Sequence, residues 1–268
     1  MDMSKKNFVS KIKEYSLPVA FVLSLLLIWE LIVFVFNIKE FILPAPSGIV
    51  GSMVRGAPTL ISNTVITLNE ILIGFALAIV LGLVFGIAIA YSKLLSRMLY
   101  PVLVFTQAVP KVAIAPAFLI WFGYGIMPKI LMTFLISFFP IVVDTAAGLM
   151  MIEPELIDLV RSLKATGMQI FTKIRFPNAL PHIFSGLKVA APLAVVGAIV
   201  AEFVGTNNGL GYIILLAEAH VDTTLVLACA FILAVLGIAL FAVVIGVERL
   251  VLPWRSAEEE EVRARSSL

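Results

Sequence analysis

The chain has 268 residues, of which 61% are apolar and only 13% charged, with a formal net charge of +2. Its mean hydropathy is +1.10. Soluble domains carry roughly 45–50% apolar and about 25% charged residues, so this composition excludes a water-soluble domain and marks an integral membrane protein. The positive residues are spread over loops, which leaves no basic patch for nucleic acid.

Taken from the N-terminus, a basic segment (Lys5, Lys6, Lys11, Lys13) precedes an apolar run from Leu17 to Phe36. The run is longer than the apolar core of a signal peptide and no A-x-A site follows, so it reads as a retained span. A helix needs about 20 residues at ~1.5 Å each to cross the hydrocarbon. Two stretches do so without any charge, the 22 residues between Glu70 and Lys93 and the 25 between Asp222 and Glu248. Four more contain ionisable residues: 17–37, 99–122, 128–151 and 182–204. The fold class is therefore all-α, with six transmembrane helices.

Lysine and arginine counts set the orientation. With both termini cytoplasmic, fifteen of them fall inside; only Lys39, Arg55 and Lys129 fall outside, and Lys111 lies within a span. The expected organisation is a cytoplasmic N-terminal segment (1–16), a transmembrane domain (17–252) and a cytoplasmic tail (253–268). The acidic run of that tail reads as a solvated end.

Two outer loops carry helix-breaking residues. The first, 38–65, contains LPAPSG, expected to be irregular. The second, 205–223, contains GTNNGLGY, whose glycines and asparagines permit a tight turn or a short re-entrant piece. Gly82 and Gly86 have the small-xxx-small spacing of a close helix contact. Cys229 lies in an apolar run and reads as a packing residue.

The inner loop 153–181 is the most informative. Residues 153–175 hold seven charges, while Leu156, Leu159, Val160 and Leu163 recur at i, i+3, i+4 and i+7. Two spans need only a few residues to connect them. A long amphipathic helix here is either a surface gripped by a soluble partner or an interfacial helix lying on the headgroups. Gly167 is placed to break it, and Pro177 and Pro181 to halt the chain before the fifth span.

A charged side chain inside a span costs about 2.5–3.5 kcal/mol on insertion scales and needs a reason. Glu202, near the outer end of the fifth span, is open to three readings: a pore-facing gate or ion filter, a pairing role between helices, or an interfacial carboxylate reaching water. Lys111 follows Pro110, and either satisfies the carbonyl that proline frees or attracts an anionic solute. Asp144 pairs with Lys188 or a backbone group, while Glu30 and Glu70 lie near span ends and reach water by snorkelling. His182 and His220 fall in separate segments of the topology, so no metal or proton-relay pair is expected. No GxxxxGK[ST], H-E-x-x-H or G-x-S-G motif occurs, so neither catalytic residues nor metal ligands are assigned and the chain is not expected to be an enzyme.

The 153–181 segment resembles the cytoplasmic loop of the inner-membrane permease subunits of binding-protein-dependent ABC importers. Their pattern of E-A-A, three residues, Gly, nine residues, Ile-x-Leu-Pro falls here on Asp158-Leu159-Val160, Lys164, Ile174, Phe176 and Pro177. Ile174 and Pro177 match outright, and Lys164 stands where the family has glycine. LPAPSGIV, PKVAIAPAFLIWFGYGIMPK and AEFVGTNNGLGYII resemble the branch that imports nitrate, sulfonates, taurine and related nutrients, so the likeness covers roughly residues 40–250.

The resemblance implies a permease working as a homodimer in the bacterial inner membrane. Asp158, Leu159, Val160, Arg161, Leu163, Lys164, Gly167, Ile174, Phe176 and Pro177 would form the coupling helices that dock on two ABC ATPase subunits. ATP and Mg would be bound there, with no cofactor in this chain. An extracytoplasmic binding protein would deliver a small solute of nitrate, sulfonate, taurine or vitamin-precursor type. Glu202, Lys111, Asn207 and Asn208 are the candidates for the translocation path or its gate. The competing class is a self-sufficient secondary transporter or membrane-embedded solute-binding module. Such carriers show an inverted repeat and midplane ion ligands, which are not visible here.

Overall fold

The computed structural model describes residues 3–253, and among these every regular element is helical. The tail from residue 254, Met1, Asp2 and the side chains of the basic N-terminal segment lie outside the described residues. The chain divides into two compact units: residues up to Ile61 with Ile213–Phe231, and Ser62–Tyr212 with the chain from Ile232 onward.

In the first unit, α1 (Met3–Val35) packs on α2 (Pro46–Arg55). The LPAPSG stretch, expected to be irregular, instead begins a helix. Pro46 occupies its first turn, where the missing N–H costs nothing and the fixed φ suits the helix. Glu30 accepts the Ser47 N–H at 3.0 Å and the Ser47 hydroxyl at 2.6 Å, placing negative charge at the N-terminus of α2. At the other end of this unit, α10 (Leu210–Ala219) turns into α11 (Thr223–Val251) through Val221 at φ 57°. The Asp222 carboxylate caps α11 by accepting the Leu225 N–H. Cys229 is fully buried, as a packing residue should be.

The second unit is built around α3 (Ala57–Tyr91), α6 (Ile126–Met150) and α9 (Phe176–Phe203). Glycines set their spacing. A Cβ on Gly74, Gly82 or Gly86 of α3 would strike Thr133, Ile141 or Thr145 of α6, so the two helices run parallel in constant register with backbones nearly touching. Gly148 of α6 packs on His182, and Gly186 and Gly197 of α9 pack on Asp144 and Thr133, which makes α6 and α9 antiparallel. The expected Gly82/Gly86 packing face is thus real, and its partner is α6.

Four helices are long and apolar enough to cross a membrane among the described residues: Ala57–Tyr91, Ile126–Met150, Gly167–Phe203 and Thr223–Val251. The expected straight span at 99–122 is not observed. Lys93–Thr106 and Lys111–Phe122 meet at 90°, joining α4 (Lys93–Ala108) to a 3-10 turn (Lys111–Ile114) and α5 (Ala115–Phe122). Pro110 is the cause. It holds Val109 extended at φ −72°, ψ 127° and supplies no N–H to continue the helix.

Candidate functional site

The inner-loop helix α7 (Pro154–Ser162) starts on a proline and buries a single anchor, Ile157, which is 5% exposed. Leu156, Leu159 and, at the C-cap, Leu163 face outward and are 42%, 59% and 75% exposed, while Val160 is half-buried. Asp158 and Arg161 flank this ridge and lie 3.6 Å apart, an exposed pair of little energetic consequence. Between α7 and the helices behind it lies a recess of about 330 Å³ lined by Leu149, Ile152, Ile157, Asp158, Arg161 and Arg175.

The helix does not end at Gly167. It ends at Ser162, and the chain turns off at Lys164, which adopts φ 62°, with the Lys164 N–H on Arg161 O and the Ala165 N–H on Val160 O. That is a Schellman cap, and the left-handed residue it demands is most cheaply a glycine. Gly167 instead opens α8 (Gly167–Ile170), where Thr166 and Gln169 form a reciprocal capping box. Pro177 and Pro181 do not stop the chain either. A π-turn at Phe171–Arg175, which contains Ile174, leads without interruption into α9, and the Phe176 N–H reaches back to Phe171 O. Pro177 stands in the first turn of α9, where a missing N–H is tolerated, and Pro181 is carried inside the helix.

The second feature was not foreseen from the sequence. Asn63, Thr67 and Glu70 follow one another at i, i+4 and i+7 and share one face of α3. Asn63 Oδ1 accepts the Gly209 N–H at 2.7 Å, and Thr67 Oγ1 accepts the Leu210 N–H at 2.9 Å. Thr67 in turn donates to Glu202 Oε1 at 2.7 Å, while Glu202 Oε2 accepts the Gly211 N–H at 2.6 Å. Glu202 is fully buried. It therefore does not reach water, and the geometry is that of a tie: it caps the N-terminus of α10 and holds the GTNNGLGY turn down.

Glu70 does not reach water. Its side chain is 1% exposed and Oε1 accepts from Lys129 Nζ at 2.7 Å. Lys129, expected among the outer loop charges, is buried with it and also donates to Asn208 Oδ1 at 2.7 Å and Asn208 O at 3.3 Å. These acceptors use all three of its N–H groups. Beside the pair lies a half-open recess of about 310 Å³, to which Ile66, Tyr124, Thr206 and Asn207 also contribute.

The remaining intramembrane charges are distributed differently from expectation. Lys111 sits 4.8 Å from the centroid of the Phe139 ring, a cation–π contact, instead of on a proline-freed carbonyl. Lys188 pairs with Glu248 at 2.7 Å and not with Asp144, which packs against Gly186.

Comparison with known proteins is consistent with this architecture. Residues 78–254 match the family model of the binding-protein-dependent transport system inner membrane component. The formylaminopyrimidine transport permease protein ThiX of Halalkalibacterium halodurans is 38% identical over 242 residues, covering 90% of this chain and 96% of that protein. The putative aliphatic sulfonates transport permease protein SsuC of Bacillus subtilis is 32% identical over 234 residues, covering 87% and 85%. In fold, the chain resembles the MetNI methionine ABC transporter captured in inward-facing conformations, with a TM-score of 0.56 at 21% identity over 70% of this chain and 96% of that one. The chain belongs to the binding-protein-dependent inner-membrane transport components, and is a permease subunit of an ABC importer.

Proposed function

We propose that the chain spans the membrane six times with both termini cytoplasmic, and that two copies line one path. Each copy's 153–181 segment docks on an ABC ATPase subunit that binds ATP and Mg, and this chain carries no cofactor of its own. An extracytoplasmic binding protein hands over a small nutrient of the kind the relatives' names describe, a pyrimidine or a sulfonate. The transmembrane domain is 17–252, flanked by cytoplasmic ends at 1–16 and 253–268. Support for the orientation comes from the fifteen-to-three lysine and arginine asymmetry, and from α3 and α6 running parallel while α9 runs back, as alternate spans must.

The observation that carries the reading is α7. A short helix anchored by one buried isoleucine, with three leucines turned outward, has the form of an apolar ridge waiting for a groove. Closure of the ATPase pair would move α7 and α8 as rigid pieces and switch the path between inward and outward access. In this scheme Asn207 and Asn208 stand at the path, Lys111 lies along it, and Glu202 acts by holding the 205–211 turn.

Co-purification of the permease with its ATPase tests this directly. Charge reversal at Asp158 or Arg161 should abolish it along with ATP-driven uptake into proteoliposomes. Uptake that persists without ATP or a partner would mark a secondary transporter and overturn the reading.

A further inference from the structure

The recess behind α7 carries positive charge that the chain leaves uncompensated. Its polar lining is Arg161, Arg175 and a single carboxylate, Asp158. Asp158 meets Arg161 at 3.6 Å with both side chains mostly exposed, so it neutralises little. Arg175 is half-buried. Among the described residues its guanidinium has neither a carboxylate at ion-pair distance nor a hydrogen-bond acceptor, and it lies 5.3 Å from the centroid of the Tyr91 ring. A guanidinium presents its donors in a planar fork that matches phosphate and carboxylate, and donors half withdrawn from water call for such an acceptor.

The recess also sits where two spans end. Its apolar lining includes Ala90 in the last turn of α3 and Leu149 and Met150 in the last turn of α6, together with Ile157 of α7. Both α3 and α6 are long and apolar enough to cross a membrane. In the orientation proposed above these ends face the cytoplasm, which puts the recess at the headgroup level of the inner leaflet, with Tyr91 as an interfacial aromatic. Its volume of about 330 Å³ is more than a single water needs. A free inorganic anion would make no use of the apolar lining. A choline or ethanolamine headgroup would bring its own cation against two guanidiniums. A phosphate ester with an acyl tail and no cation suits both halves, as in other basic pockets between span ends on the cytoplasmic side.

We propose that the recess behind α7 binds one anionic phospholipid of the inner leaflet, its phosphate held by Arg175 and Arg161 and its glycerol and upper acyl chain covering Leu149, Met150 and Ile157. The lipid ties α7 to the ends of α3 and α6, reinforcing the anchor that Ile157 supplies. The inference takes its orientation from the importer reading and goes beyond it, because membrane composition then sets how firmly α7 is held.

The test uses the full chain in detergent, with phosphatidylglycerol as the probe and phosphatidylcholine of the same acyl chains as comparator, read by native mass spectrometry of retained lipid. One phosphatidylglycerol per chain is expected to bind about tenfold more tightly than phosphatidylcholine. Arg175→Ala should weaken it about fivefold, and Arg175→Lys should restore most of that. Ala90→Trp, which fills the recess without removing a charge, should abolish the preference. Arg249→Ala, in the last turn of α11 and outside the recess, should change nothing. Equal affinity for the two lipids, or an equal loss in Arg249→Ala and Arg175→Ala, would show diffuse attraction and overturn the proposal. Displacement by soluble glycerol 3-phosphate would give the recess to free phosphate esters and overturn it too. So would an Arg175→Ala chain that keeps phosphatidylglycerol but loses its ATPase, since the arginine would then serve an acidic side chain of that partner. Co-purification of the unaltered chain with its ATPase is a separate measurement, so failure here would leave the permease reading standing.

Discussion

Glu70 of α3 and Lys129 of α6 form a 2.7 Å ion pair with side chains only 1% and 4% exposed, and their separation of 59 residues is shared by the Gly74–Thr133, Gly82–Ile141 and Gly86–Thr145 contacts. One helix–helix register therefore carries both the close packing and the buried charge. The glycines bring the backbones together, and that approach places the ammonium in direct contact with the carboxylate.

Breaking this pair from one side should be worse than removing it altogether. Glu70→Met or Lys129→Met alone leaves an uncompensated buried charge and is expected to cost about 3–5 kcal/mol, whereas the double Met variant should recover most of that loss. Thermal unfolding of the four proteins in one detergent measures the coupling. Additive losses would show that the two side chains do not stabilise one another.

The turn before α10 should tolerate almost nothing at Gly209. Its φ is +102°, and any Cβ would run into the Glu202 carboxylate. Gly209→Ala is expected to cost at least about 2 kcal/mol from backbone strain, before the displaced acid is counted. Glu202→Ala should lose about 1–3 kcal/mol for each donor it strands, Thr67 and the Gly211 N–H. Faster amide exchange confined to residues 209–212 is the signature to look for.

Gly86→Leu should separate α3 from α6, because the Thr145 side chain lies 2.6 Å from where the first added carbon would sit. The expected loss is about 1–3 kcal/mol or more. Gly51→Ala serves as the control: nothing lies within 4 Å of its Cβ position in α2, so the variant should gain about 0.5–1 kcal/mol from helix propensity. Melting temperatures of the two variants should move in opposite directions.

At the end of α7, Lys164→Gly should stabilise the cap by about 1 kcal/mol, the usual cost of a left-handed non-glycine residue. The direct measurement is slower amide exchange at Lys164 and Ala165 with ATPase association retained. Unchanged or faster exchange there would show that the left-handed backbone at Lys164 does not limit the stability of the cap.

Much of the α7 region was legible because its signals are local. Period-3.6 leucines on a charged background identify an amphipathic helix regardless of what surrounds it. What misled was punctuation. Gly167 and the two prolines read as breakers, yet the break fell on Lys164, because a Schellman cap is defined by backbone hydrogen bonds that any residue can accept at a modest cost. Pro177 and Pro181, which one-dimensional rules treat as stops, likewise sit in the first turn and the interior of α9.

The charge cluster was illegible for a different reason. Asn63, Thr67 and Glu70 are one face of a helix in outline, but their partners lie 59 to 146 residues away in the chain. Assigning Glu70 to snorkelling and Lys129 to a loop followed from treating each charge by its distance to a span end. Neither assumption includes a neighbouring helix.

Hydropathy and composition by themselves determined that the chain is helical and membrane-embedded, and roughly where its apolar segments lie, because backbone satisfaction in hydrocarbon leaves little else possible. Which charges meet and which glycines touch were decided by tertiary packing alone. Those outcomes depend on register between distant helices, and a shift of one residue rotates a side chain by about 100° around the helix axis, enough to carry it off the contact face.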